Sequence, residues 1–139
     1  DEIQKQLPVL FPIHPRTQKR LNEFGLQDKI QGMKNLILIE PLGYLQFLPV
    51  MQQARLLFTD SGIIKEETTY LKIPCITMRD NTERPITIEL GTNQLVGNDP
   101  YKILAAFNYA LNHRYEDQPT PPLWDGQASK RIVDILAKQ

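Results

Sequence analysis

The residues best suited to chemistry fall at the ends of short apolar runs. Thr59-Asp60-Ser61-Gly62 ends one such run and opens directly into a helical pattern. A turn of this kind offers unpaired backbone N–H groups and the positive end of a helix dipole, which suit phosphate oxygens. Gly62 lets the backbone approach a ligand closely. The plainer reading is that Asp60 or Ser61 caps the helix. Glu66 and Glu67 follow one turn later. A carboxylate there can accept hydrogen bonds from a ribose diol, or two acids can simply complement the dipole and face water. Adjacent helical residues point in different directions, so only one of the two is expected to reach a ligand. His14 and Arg16 follow another apolar run, where a cation can neutralise a diphosphate. The loop Arg79-Asp80-Asn81-Thr82-Glu83-Arg84-Pro85 is either solvated or supplies Arg84 to a phosphate or base. Phe47 and Tyr44 can bracket a nucleobase or pack in a core, and His113 reads as solvated.

Other chemistries find no support. The chain has no Gly-x-Gly-x-x-Gly, no Walker-type lysine turn and no Gly-x-Ser-x-Gly elbow. Two distant histidines and the single Cys75 do not make a zinc site, so no metal and no cofactor is expected. A phosphoacceptor receiver domain would need paired acids after its first strand, which are missing. Sixteen Lys and Arg balance sixteen Asp and Glu, which argues against a general nucleic-acid or membrane-surface binder. Apolar runs of only a handful of residues predict no bilayer span, no signal peptide is visible, and the expected compartment is cytoplasmic.

The elements that must hold these residues alternate. Strands are expected at Leu7 to Ile13, Asn35 to Glu40, Arg55 to Asp60, Pro74 to Met78 and Asn93 to Val96. Helices are expected at Pro15 to Phe24 with Gly25 as the stop, and at Tyr44 to Ala54 with Pro49 as a kink or first turn. Further helices are expected at about Ile63 to Leu71, Thr87 to Leu90, and Pro100 to Leu111 with Pro100 at its first position. His113 to Trp124 reads as a surface connection. A last amphipathic helix, about Gln127 to Lys138, should bury Ile132, Val133, Ile135 and Leu136. Strands nearly continuous in apolar residues, alternating with helices, imply an α/β fold with a doubly wound, Rossmann-like parallel sheet. Ligands of such sheets bind beyond the carboxyl ends of the strands. The 139 residues are one domain's worth of chain, 1–139, able to bury a core of its own. It opens Asp1-Glu2-Ile3 without methionine, as a piece of a longer protein would.

Taken together, the strand-end motifs resemble the C-terminal half of the non-hydrolysing UDP-N-acetylglucosamine 2-epimerases. The matching stretches include Phe11-Pro12-Ile13-His14-Pro15-Arg16-Thr17, Leu38-Ile39-Glu40-Pro41-Leu42-Gly43-Tyr44-Leu45 and Leu57-Phe58-Thr59-Asp60-Ser61-Gly62. Glu66-Glu67-Thr68, Asn81-Thr82-Glu83-Arg84-Pro85, Gly91-Thr92-Asn93 and Trp124-Asp125-Gly126-Gln127-Ala128 follow in order. The resemblance implies half of a glycosyltransferase-B-type fold, whose active site lies in the cleft between two Rossmann-like domains. The implied reaction inverts C2 of the sugar by eliminating UDP to a glycal and adding it back. By the same resemblance His14 contacts the diphosphate region and influences activity. Ser61 and Gly62 hold phosphate, Glu67 takes the ribose hydroxyls, Phe47 lies against uracil, and Arg84 matches a nucleotide-site position. Ile63 stands where the family pattern has a second glycine, and Lys72 replaces the glycine of Leu-Gly-x-Pro, which predicts a different helix C-cap.

The resemblance also implies that the acids moving the C2 proton belong to an N-terminal domain not represented here, so this piece alone should be inactive. Residues 124–139 would then form a final helix that packs on that domain, with its apolar face partly exposed in this piece as a candidate for dimer contacts. The expected partner is UDP or a UDP-N-acetylhexosamine, with the whole protein a homodimer. Two other readings stay open: the nucleotide-sugar-binding domain of a glycosyltransferase, and a non-catalytic nucleotide-binding module.

Overall fold

A computed structural model describes residues 1–138. The chain divides into two compact units, Asp1–Val50 and the part from Met51 onward. In the first, a short 3-10 turn, Ile3–Lys5, leads into β1 (Val9–Pro12), α1 (Pro15–Glu23), α2 (Gln27–Gln31) and β2 (Leu36–Ile39). The two strands pair in parallel from Val9 with Leu36 to Pro12 with Ile39. Pro15 opens α1 where a missing N–H costs nothing, and Gly25, at φ +64°, provides the left-handed residue that ends it. Five-residue α2 is too short to show a helical period and was not expected from the sequence. Ile13, just past β1, is the buried side chain of this unit.

Helix α3 (Tyr44–Gln53) carries the chain into the second unit, with Pro49 inside it. There β3 (Leu57–Thr59), β4 (Cys75–Thr77) and β5 (Asn93–Leu95) form a parallel sheet in that order. Helix α4 (Ile64–Leu71) crosses from β3 to β4, and α5 (Ile86–Glu89) from β4 to β5. Parallel strands joined by helical crossovers are the α/β pattern expected from the alternating runs. Asp99 caps α6 (Pro100–Asn112) by accepting from the Tyr101 amide at 2.8 Å. Its buried Ala106, Phe107 and Ala110 repeat at helical spacing, and Phe107 stacks on Phe58 with ring centroids 6.3 Å apart. Ile76, Cys75 and Met51 complete the apolar core.

A second layer of this core is polar. Lys65, Thr68, Thr69, Thr77, Thr87, Thr92 and Asn93 are all buried. The Thr77 hydroxyl donates to Asn93 Oδ1 at 2.5 Å, and Asn93 Nδ2 donates to Thr87 Oγ1 at 3.2 Å. Buried polar atoms are tolerated when paired in this way.

Two expectations are corrected here. The apolar residues of α7 (Ala128–Leu136) are not buried: Ile132, Val133, Ile135 and Leu136 are 57–62% exposed. Periodicity shows that a helix has an apolar face, but not what covers it. The helix is tethered instead at its start. Arg131 Nη1 donates to both carboxylate oxygens of Asp125, at 2.9 and 2.8 Å, and Nη2 donates to the Leu123 carbonyl at 3.0 Å. The C-cap of α4 also keeps the glycine-type geometry although the residue is lysine. Lys72 lies in the left-handed region at φ 62°, ψ 30°. The Ile73 amide donates to Thr68 O at 2.9 Å and the Lys72 amide to Thr69 O at 3.3 Å, the paired bonds of a Schellman motif.

Candidate functional site

At the carboxyl end of β3 the backbone turns sharply. Thr59, buried, accepts from the Ser61 amide through Oγ1 at 2.9 Å. Neither Asp60 nor Ser61 caps α4. The N-cap position is Ile63, with no side-chain cap bond. The Gly62 and Ile63 amides find no acceptor among the described residues. The uncapped terminus therefore keeps donors and a positive dipole end for an anion.

Ile63 takes ordinary right-handed angles, φ −82° and ψ −45°, and its side chain is 70% exposed. Glycine is not needed there to shape the turn. Gly62 is different. A Cβ on it would overlap Oε1 of Glu83, so a side chain there would have to push aside the carboxylate end of the next strand-end loop.

That loop follows β4. Glu83 Oε2 accepts from Lys65 Nζ and from Arg79 Nη1, both at 3.4 Å. Its own backbone amide, helped by Lys65 and Arg79, holds the Glu83 carboxyl below the usual carboxylate range. Arg84 donates through Nε to Glu66 Oε1, and its amide donates to Thr82 Oγ1 at 3.1 Å. Glu67, half-buried, pairs with no other described side chain. Ser61, Gly62 and Arg84 thus lie in strand-end turns of the second unit, and Glu67 in the opening turns of its helix α4.

His14, Arg16 and Phe47 belong to the first unit. His14 is the N-cap of α1 and accepts through Nδ1 from the Arg16 amide at 3.2 Å, which leaves Nε2 as its outward donor. Both side chains are exposed. Phe47 is half-buried one turn into α3, and Tyr44 at the start of that helix is exposed. His113, exposed as expected, stacks on Tyr109 with ring centroids 3.7 Å apart. Among the described residues no three His, Cys, Asp or Glu side chains gather as a metal ion would need. No described helix is long and apolar enough to cross a membrane.

Sequence reasoning passed over Lys65 and Glu83. The available signal was the spacing of Lys65, Thr68 and Thr69, a polar stripe on one helix face that proves to be the inward one.

Comparison with known proteins places these turns in context. The family model for UDP-N-acetylglucosamine 2-epimerase matches residues 1–137. The UDP-N-acetylglucosamine 2-epimerase of Methanocaldococcus jannaschii is 48% identical over 128 residues, covering 92% of this chain and 34% of that protein. The enzyme of the same name from Methanococcus maripaludis is 45% identical over 129 residues, again 92% of this chain and 34% of that protein. A crystal structure of the Methanocaldococcus jannaschii enzyme in complex with UDP-GlcNAc and UDP superposes with a TM-score of 0.84 at 46% identity. It covers 99% of this chain and 37% of that one. The chain therefore spans about a third of the length of the relatives it matches. Since the match runs through nearly every residue described, the chain belongs to the UDP-N-acetylglucosamine 2-epimerase family.

Proposed function

We propose that this chain is the UDP-binding portion of a UDP-N-acetylglucosamine 2-epimerase. The observation that carries the reading is the uncapped start of α4, with the Gly62 and Ile63 amides unpaired among the described residues, in a chain of this family. Ser61 and Gly62 hold a phosphate at the helix terminus, where backbone donors and dipole act together. Glu67, without an ion-pair partner among the described residues, accepts from the ribose hydroxyls. Arg84 contributes positive charge to the nucleotide. From the first unit, His14 and Arg16 serve the diphosphate, with Nε2 of His14 as a donor, and Phe47 takes a face of the uracil.

In the whole enzyme the reaction removes the C2 proton as the C1–oxygen bond to UDP breaks, leaving a glycal. UDP then adds back at C1 while a proton is delivered to the opposite face of C2. This chain's part is to hold UDP through both halves, so that the leaving group stays in place for its return. The groups that move the C2 proton belong to the rest of the protein, and this piece alone is inactive. The reading carries with it a cytoplasmic enzyme that acts as a homodimer. Residues 124–139, with the exposed apolar face of α7, pack there against the remainder of the chain or a second copy.

The direct test is UDP binding by this chain. A single site raises stability by RT ln(1 + [L]/Kd), about 2.7 kcal/mol at a hundredfold excess over Kd. No midpoint shift at millimolar UDP counts against the site. With the full-length protein, conversion of UDP-GlcNAc to UDP-ManNAc with solvent deuterium entering at C2 marks an epimerase. Transfer of the sugar to an acceptor without C2 exchange marks a transferase.

A further inference from the structure

Two successive charge pairs stitch the loop after β4 to the opening of α4. Lys65 is fully buried, at 0% exposure, and Nζ reaches Glu83 Oε2 at 3.4 Å. One residue further along each segment, Arg84 donates to Glu66. Arg79 braces the same Glu83 oxygen from within the loop. The other oxygen of Glu83 occupies the space where Gly62 would carry a Cβ. A single carboxylate thus touches a buried ammonium, a guanidinium and the glycine of the turn.

The pairing is unequal. Glu83 keeps 48% of its side-chain surface in water and does not need Lys65 for solvation. Lys65 has no water, and a buried ammonium is costly unless a partner stays beside it. The lysine therefore dictates where the carboxylate sits, and the carboxylate sits against Gly62. Lys65 itself points inward and presents no surface to solvent.

We propose that Lys65 is a positioning residue: through Glu83 it fixes the Gly62 turn and residues 79–84, so that the free amides and Arg84 are presented together to a diphosphate. The inference rests on the UDP reading and assigns that site its internal support. It would act on ligand affinity even where stability is unchanged, because an apolar side chain of similar size in place of Lys65 leaves behind only the half-exposed carboxylate of Glu83, not an unpaired buried charge.

The test uses the chain with Lys65→Met, with Glu83→Gln, and with both. UDP affinity is measured by calorimetry at a temperature where each protein is folded, and amide hydrogen exchange is followed across residues 79–84 and across β3–β5. The expected result is a roughly tenfold weaker Kd for each single variant, with the double variant no worse than the weaker single, since both act through one contact. Exchange should quicken at 79–84 and stay unchanged in the strands. A purely structural role would lower the melting midpoint and leave Kd alone. A Kd within twofold of the unsubstituted chain in a folded Lys65→Met variant overturns the proposal. Should Lys65→Met fail to fold, Glu83→Asp, which keeps a carboxylate for the buried ammonium but draws it back from Gly62, decides by the same two readings. If the unsubstituted chain binds no UDP, the nucleotide reading falls, and unchanged exchange at 79–84 then overturns the positioning role by itself.

Discussion

Arg84 donates through Nε to Glu66, while Glu67, the next residue of α4, has no partner among the described side chains. Two adjacent acids therefore stand in opposite relations to a bound nucleotide. Glu67→Ala removes the proposed ribose acceptor. A hydrogen bond to a charged group is worth about 1.5–3 kcal/mol, so the UDP Kd should rise by roughly tenfold or more. Glu66→Gln weakens the hold on Arg84 and leaves its guanidinium freer for phosphate. Exposed ion pairs contribute about 0–1 kcal/mol, so the Kd should fall, by no more than about fivefold. Calorimetric titration with UDP checks both, and equal losses from the two substitutions would sink the assignment.

Lys72 holds a backbone conformation that L-residues adopt at a cost. Lys72→Gly should relieve that cost, partly offset by the greater freedom of glycine in the unfolded chain. The net gain is expected at about 0.5–1 kcal/mol, visible as a Tm higher by roughly 2–5 °C. The lysine also donates through Nζ to Thr120 Oγ1 at 3.2 Å, an exposed contact of little weight. Lys72→Ala separates the two effects, because it loses that contact but keeps the Cβ. Stabilisation of the alanine variant equal to that of the glycine variant would rule out the backbone explanation.

Gly91, in the Gly-Thr-Asn stretch, is a packing glycine. A Cβ there would overlap the Thr87 carbonyl oxygen and lie 2.5 Å from Thr69 Oγ1 and 2.8 Å from Thr69 Cγ2. Backbone cannot yield as a flexible side-chain end can. Gly91→Ala should cost about 1–3 kcal/mol, as overpacking does. The residue borders β5 and the buried threonine layer, so the UDP Kd of the folded variant should stay as it was. Thermal melting and titration together check this. A weakened Kd with unchanged Tm would make Gly91 a ligand contact instead.

Much of this framework is legible in the residues themselves. Continuous runs such as Leu36–Ile39 and Cys75–Thr77 lie on paired parallel strands, and Asp99-Pro100 marks the start of α6 by a cap and a fixed φ. The turn at Thr59 to Gly62 was readable because strand ends and helix starts have distinctive residue types. What stayed hidden depends on distant partners. A lysine beside Glu66 and Glu67 reads as part of a solvated face, yet the partner that lets Lys65 be buried lies 18 residues away. Gly62 reads as room for a ligand, whereas the atom that its missing Cβ makes room for is a carboxylate oxygen of Glu83. Ile63 and Lys72 depart from glycine at opposite ends of one helix for unlike reasons. The first needs no special backbone angle, and the second tolerates one.

Alkaline pH should expose the strain of a buried thiol. Burial, only partly offset by hydrogen bonding with Thr68 and Thr77 and by the charge of Lys65, pushes the Cys75 thiol above its ordinary value of 9.0. Burial likewise raises the Tyr115 phenol above 10.0, against the hydrogen bond it receives from Gln94. In the unfolded chain the thiol releases its proton near the ordinary value, while the folded chain retains it. Above about pH 9 the unfolded state therefore binds fewer protons, and stability falls as pH rises. Below that pH both states hold the proton and neither group contributes a slope. Melting midpoints followed from pH 7 to 10.5 should be insensitive to Cys75 up to about pH 9 and then decline. Cys75→Ala should make the decline shallower, with Tyr115 supplying a later fall that remains. Because Cys75 is fully covered in the fold, a thiol reagent should label it only as fast as the chain opens. An alkaline limb of the same slope in Cys75→Ala would show that another group governs it.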